Sequence, residues 1–171
     1  MSVAWDRAIE VHLRHEGGES RRPLADDPGG HTKYGITCRR WLAEGGDLAA
    51  FKTLTEASAR AWYRARVWEP LRLDALVVER LAVALFNWAA GPLGEPRAVL
   101  CLQQALNRLR APDALLQEDG VLGAGTRRAA NTYPHPKALV MALKMEISLY
   151  LAARPHWPAN RAGWLNRLDD C

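Results

Sequence analysis

Apolar residues recur at helical spacing over most of the chain. Trp5, Ala8, Ile9, His12, Leu13 and Glu16 fall at i, i+3, i+4, i+7 steps, which line one face of a helix. Gly17-Gly18 then supplies a stop. The spacing predicts a helix over 3–16. Residues 19–36 read as an irregular loop with a small hairpin, punctuated by Asp27-Pro28-Gly29-Gly30, a strong turn signal. Tyr34-Gly35-Ile36-Thr37 is short and β-prone, and Thr37 suits the cap of a helix that stops at Gly45-Gly46. Thr53-x-x-Glu56 reads as a capping box opening a helix to about Val67. Leu76 to Ala90 predicts a strongly apolar helix ended by Gly91-Pro92. Pro96 suits a first helical turn, and that helix runs to about Arg110. Asp119-Gly120 marks a turn. Further helices are expected over 124–131, 137–153 and, as a short last one, 163–168. Strand signals are few, so the expected class is mainly α with a small loop or β-hairpin element.

Placing Glu16 on this pattern changes the picture. It lies on the last turn of the first helix, on the apolar side. Burial and the negative end of the helix dipole both disfavour an ionised carboxyl. A glutamate kept protonated near neutral pH is what a general acid requires. An acidic turn with Asp26 and Asp27 follows, then Thr32 in a polar loop. That order is a frame for glycoside cleavage. One carboxyl protonates the leaving oxygen, and a second carboxylate or polar group holds water or steadies the oxocarbenium ion.

The motifs carry a resemblance. Glu16-Gly17-Gly18, Asp27-Pro28-Gly29-Gly30 and Thr32-Lys33-Tyr34-Gly35-Ile36-Thr37 resemble the N-terminal signature of glycoside hydrolase family 108, the bacterial and prophage N-acetylmuramidases. Arg66 to Leu71 resembles the family's Trp-x-Pro segment, and Phe86 to Pro92 its mid-chain helix end. Leu102 to Leu106, Asp119 to Gly123 and Thr126 resemble a peptidoglycan-binding region, and Gly163-Trp164-Leu165-Asn166-Arg167 a C-terminal Gly-Trp-x-x-Arg. The spacer from Glu19 to Asp26 is longer than the family's. The resemblance implies a lysozyme-like helical fold. It implies a catalytic region over 1–92 and a helical peptidoglycan-binding-like region over 93–171, packed as one globular unit. It implies Glu16 as general acid, with Asp27 and Thr32 assisting catalysis. Asp26 stays open as the alternative to Asp27. Tyr34 is a candidate cleft residue. Trp68 is a candidate sugar-stacking residue, because it ends a helix just before Glu69-Pro70.

The expected activity is cleavage of the β-1,4 bond between N-acetylmuramic acid and N-acetylglucosamine in peptidoglycan. A lytic transglycosylase and a non-catalytic murein-binding or secretion-accessory protein are the alternatives.

Composition narrows the partners. The 171 residues are 49% hydrophobic and 25% charged, as in an ordinary globular protein. The net charge of +4 suits attraction to an anionic polymer. Peptidoglycan glycan strands fit, and no reading-head motif favours nucleic acid. No run is long and apolar enough to span a bilayer, and the N-terminus has no signal-peptide pattern. The expectation is therefore cytoplasmic synthesis, with a holin or secretion system delivering the protein to murein. His12, His15 and Glu16 form a His-x-x-His-Glu string. The His-Glu-x-x-His order of a zinc helix is absent, so no metal and no cofactor are expected. Cys38, Cys101 and Cys171 are odd in number and widely spaced, which favours free thiols.

Overall fold

The chain's apolar surplus is concentrated in one helix, and that helix lies at the centre of the fold. Every residue from Leu81 to Ala90 is buried, the state of a helix covered on all sides. In chain order the computed structural model shows α1 (Val3–Glu16), β1 (Glu19–Ser20), β2 (Thr32–Lys33), β3 (Ile36–Thr37), α2 (Cys38–Ala43), α3 (Leu48–Lys52) and α4 (Glu56–Tyr63). Then follow α5 (Glu79–Ala90), α6 (Glu95–Leu109), α7 (Ala124–Thr132), α8 (Pro136–Ala152) and α9 (Trp157–Asp170). The described residues are 3–16, 19–20, 31–111 and 115–171. The Gly17-Gly18 stop and the Asp27-Pro28-Gly29-Gly30 turn lie outside them.

The main packings are α1 and α6 on α5, and α8 on α6. One apolar cluster runs from Trp5 to Cys171, so the core continues across Gly91-Pro92. Trp5, Trp68 and Phe86 meet edge to face, with ring centroids 5.4, 5.5 and 5.7 Å apart, the geometry that aromatic quadrupoles favour. The three short strands form one antiparallel sheet in the order β1-β2-β3. All three cysteines are free. Among the described residues no helix is long and apolar enough to cross a membrane.

Several boundaries differ from the sequence expectation. The cap of α4 is Thr55, whose hydroxyl accepts from the Ser58 amide. Thr53 instead closes α3, its hydroxyl donating back to the Ala49 carbonyl. The capping-box reading is thus displaced by two residues, because α3, capped by Asp47, had no apolar repeat long enough to be seen. The α4 pattern does reach Trp68, but the stretch Arg64–Trp68 is wound as a π-helix. α5 starts at Glu79 rather than 76. Leu73–Ala75 forms a separate 3₁₀ turn, and the Val77 amide donates to the Asn131 side chain. α9 begins at Trp157, with Pro158 in its first turn, and is far longer than the short helix expected.

His12 is fully buried on α1, edge-on to Tyr63 at 4.5 Å and to Phe86 at 5.6 Å. Neither ring nitrogen has a partner among the described residues. Burial, with help from Arg167, His15 and Arg40, pushes the imidazole well below its ordinary 6.5. Between that value and the lower folded one, the unfolded chain binds a proton that the folded chain refuses. Stability is therefore full above about pH 6.5 and falls as pH drops through this window. His12→Phe keeps the aromatic contacts and removes the titrating group. Its melting temperature should fall less than the wild type's between pH 7 and pH 5, and an unchanged slope would contradict the assignment.

Candidate active site

Glu16 ends α1 and lines a polar cleft of about 460 Å³. Four stretches distant in sequence build the walls. The end of α1 gives His15 and Glu16. The hairpin and the start of α2 give Gly35, Thr37 and Arg40. The end of α5 gives Ala90 and Gly91. α9 gives Asn160, Trp164 and Arg167. Among the described residues that line it, Glu16 is the one carboxylate.

The hairpin reaches Glu16 because of its turn. Tyr34 and Gly35 have φ of 51° and 79°, the two consecutive left-handed residues that a tight two-residue hairpin needs. Gly35 is required twice over. Its backbone is left-handed, and a Cβ there would stand 2.5 Å from Glu16 Cγ and 2.8 Å from Tyr63 Oη. Tyr63 donates to the Tyr34 carbonyl at 3.0 Å and so ties the turn to α4. Burial, and then the Glu16 charge, push the Tyr63 phenol up, so it remains a neutral donor. Thr37 accepts from the Arg40 amide at 3.1 Å and caps α2. That cap aims α2 so that Arg40 faces the cleft. Its guanidinium is held by Glu44 at 2.9 Å and lies 4.7 Å from the centroid of the Trp62 ring.

Across the cleft, Arg167 Nη2 donates to Glu16 Oε1 at 2.6 Å. Its Nη1 donates to the Asn87 carbonyl at 3.2 Å. Asn87 is itself fixed, its side-chain amide donating to the Ala8 and Val83 carbonyls at 3.1 and 3.0 Å. Next to Glu16, His15 Nε2 lies 2.9 Å from Asp170 Oδ2. Burial, and then Arg167, push the His15 imidazole down against the pull of Asp170. The local reading of Glu16 counted burial and the helix end. Arg167, 151 residues away, was invisible to it.

The sequence candidates divide. Glu16 lines the cleft. Thr32 and Tyr34 are half-buried on the adjoining hairpin. They lie beside the lining residues rather than among them, although Thr32 pairs across the sheet with Thr37, which does line the cleft. Asp27 and Asp26 lie outside the described residues. Trp68 is corrected. It is 0% exposed, and its indole donates to Asp74 at 2.9 Å. The π-helical turn rolls it inward against Trp5 and Phe86, and the indole that does line the cleft is Trp164. Sequence reasoning did not assign Arg40, Trp164 or Arg167 to the site. The Gly163-Trp164-x-x-Arg167 motif was the available signal for two of them.

A carboxyl lining a polar cleft together with two arginines and an indole, in a mainly helical fold, has the makings of a glycosidase site. The comparisons agree. Residues 9–91 match the family model described as Glycosyl hydrolase 108. Among solved structures, SagA of Brucella abortus is 27% identical, with a TM-score of 0.78 over 96% of this chain and 89% of that one. The fold is the lysozyme-like helical one that the motifs implied. No curated protein matches the chain.

Gly35→Ala tests the turn. Forcing a side chain into a left-handed residue costs about 1–2 kcal/mol, and the new methyl must displace Glu16. The denaturation midpoint should drop accordingly. Hydrolysis of cell-wall glycan should fall by about 10²-fold, the scale for a reacting group moved by ~1 Å. A variant as active as wild type would show that Glu16 need not sit where the turn holds it.

Proposed function

We propose that the protein is an N-acetylmuramidase that hydrolyses the β-1,4 bond between N-acetylmuramic acid and N-acetylglucosamine in peptidoglycan. The observation that carries this is the place of Glu16. It ends a helix within the family-matched region and lines a polar cleft of about 460 Å³. Glu16 acts as the general acid and delivers its proton to the leaving glycosidic oxygen. Asp27, with Asp26 as the neighbouring alternative, and Thr32 orient the attacking water or steady positive charge at the anomeric carbon. Trp164 offers an indole face on which a pyranose ring stacks. Arg40 and the chain's positive charge attract the anionic wall polymer. The glycan strand is the partner, and a holin or secretion route delivers the enzyme to it.

Glu16→Gln keeps the shape of the side chain, and its carbonyl can still accept from Arg167, but it has no proton to give. Turbidity loss of permeabilised Gram-negative cells should fall by about 10²–10⁴-fold with the helical circular-dichroism signal intact. Undiminished lysis by purified Glu16→Gln would remove the proposal.

Asp27→Asn should cut lysis strongly and Asp26→Asn much less. The reverse order would move the assisting role to Asp26. Products with a free reducing end are expected, whereas a 1,6-anhydro end would identify a transglycosylase instead.

A further inference from the structure

Arg167 is an unusual residue to find beside a candidate acid. Its side chain is only 6% exposed, and a buried cation must be matched by acceptors. It is matched by two, the Glu16 carboxylate at 2.6 Å and the Asn87 main-chain carbonyl at 3.2 Å. The guanidinium also lies 5.9 Å from the centroid of the Trp88 ring. Room for it exists because residue 91 is glycine. A Cβ there would stand 2.7 Å from Arg167 Nη1 and 2.8 Å from the Asn87 carbonyl oxygen. α5 therefore ends in a notch that admits the fork of an arginine from α9.

We propose that Arg167 is a positioning residue for the hydrolytic reaction, fixing where the Glu16 carboxyl points before substrate arrives. This rests on the reading of Glu16 as the general acid. A planar fork that donates to a fixed carbonyl with one arm and to Glu16 with the other leaves the carboxyl little rotational freedom. Among the described residues, Tyr63 on α4 also interacts with the Glu16 charge, and His15 on α1 and Arg40 on α2 line the same cleft. None of them contacts the carboxyl as Arg167 does among the described residues. The last helix is on this account a working part of the hydrolytic cleft, whatever else the region after residue 92 binds.

The test compares Arg167→Met and Arg167→Lys with wild type in the full chain. It measures kcat and KM on soluble murein fragments, together with thermal melting and the folded fraction. In Arg167→Met, kcat should fall by about 10²-fold, the scale for a misplaced reacting group, with KM little changed. Arg167→Lys keeps the charge but cannot span both acceptors. Its kcat should fall to an intermediate value, with KM again little changed.

A merely structural role would lower the melting temperature and the active fraction while leaving kcat per folded molecule unchanged, and that result overturns the proposal. A rise in KM with kcat unchanged also overturns it, assigning Arg167 to substrate binding. If Arg167→Met does not fold, Arg167→Lys decides the matter, and full kcat in that variant sinks the positioning role. Loss of lysis in Glu16→Gln alongside wild-type behaviour of both Arg167 variants would discard this inference alone. Undiminished lysis in Glu16→Gln would discard the muramidase reading itself.

Discussion

A guanidinium held inside protein costs several kcal/mol unless acceptors meet it, and the arrangement around Arg167 follows from that requirement. The cation draws together the end of α1 through Glu16, the end of α5 through the Asn87 carbonyl, and α9, which carries it. Asn87 could not hold its carbonyl in place if its own side chain were free, and that side chain bridges Val83 on α5 and Ala8 on α1. Gly91 has to be small for the fork to enter. His15 and Asp170 meet one step along the same two helices, which fastens α9 a second time. Remove the cation, and the wall of the cleft opposite the hairpin loses its principal polar tie to the rest.

Glu16 is confined from the other side by backbone geometry. A turn with two left-handed residues brings Gly35 against its methylene groups, and Tyr63 anchors that turn to α4. The carboxyl is thus placed by sterics on one flank and by a charge-assisted hydrogen bond on the other. Preorganisation of this kind lowers the cost of reaching a reactive geometry. Thr37, Arg40 and Asn160 add polar groups to the lining and Trp164 adds an aromatic face.

The region that matches the glycosyl hydrolase family ends at residue 91, yet the cleft does not. Asn160, Trp164 and Arg167 come from the last helix, while the likeness to SagA extends over 96% of the chain. The core likewise runs through α6 and α8 without a break at Gly91-Pro92. A site completed by residues so late in the chain ties its chemistry to the folding of the whole.

What the sequence determined alone was local. The 3.6-residue periodicity gave α1, α5, α6 and α8 within a few residues, because each buries one face or more against a common core. Turn chemistry gave the Thr37 cap and the stops at Gly45-Gly46 and Gly91-Pro92, since these depend on one or two residues each. Glu16 was legible because a helix end, an apolar face and a motif coincide at it. Only the tertiary structure decided the rest. α3 is too short to show a period, and Thr55 rather than Thr53 caps α4 because the neighbouring turn claims Thr53. Trp68 was misplaced because a π-helical turn shifts the facing of every residue after it, and no spacing rule reveals that winding in advance. Arg167 reaches Glu16 across 151 positions. An ion pair of that span is set by how helices dock, and docking is a property of the packed core rather than of any segment's own pattern.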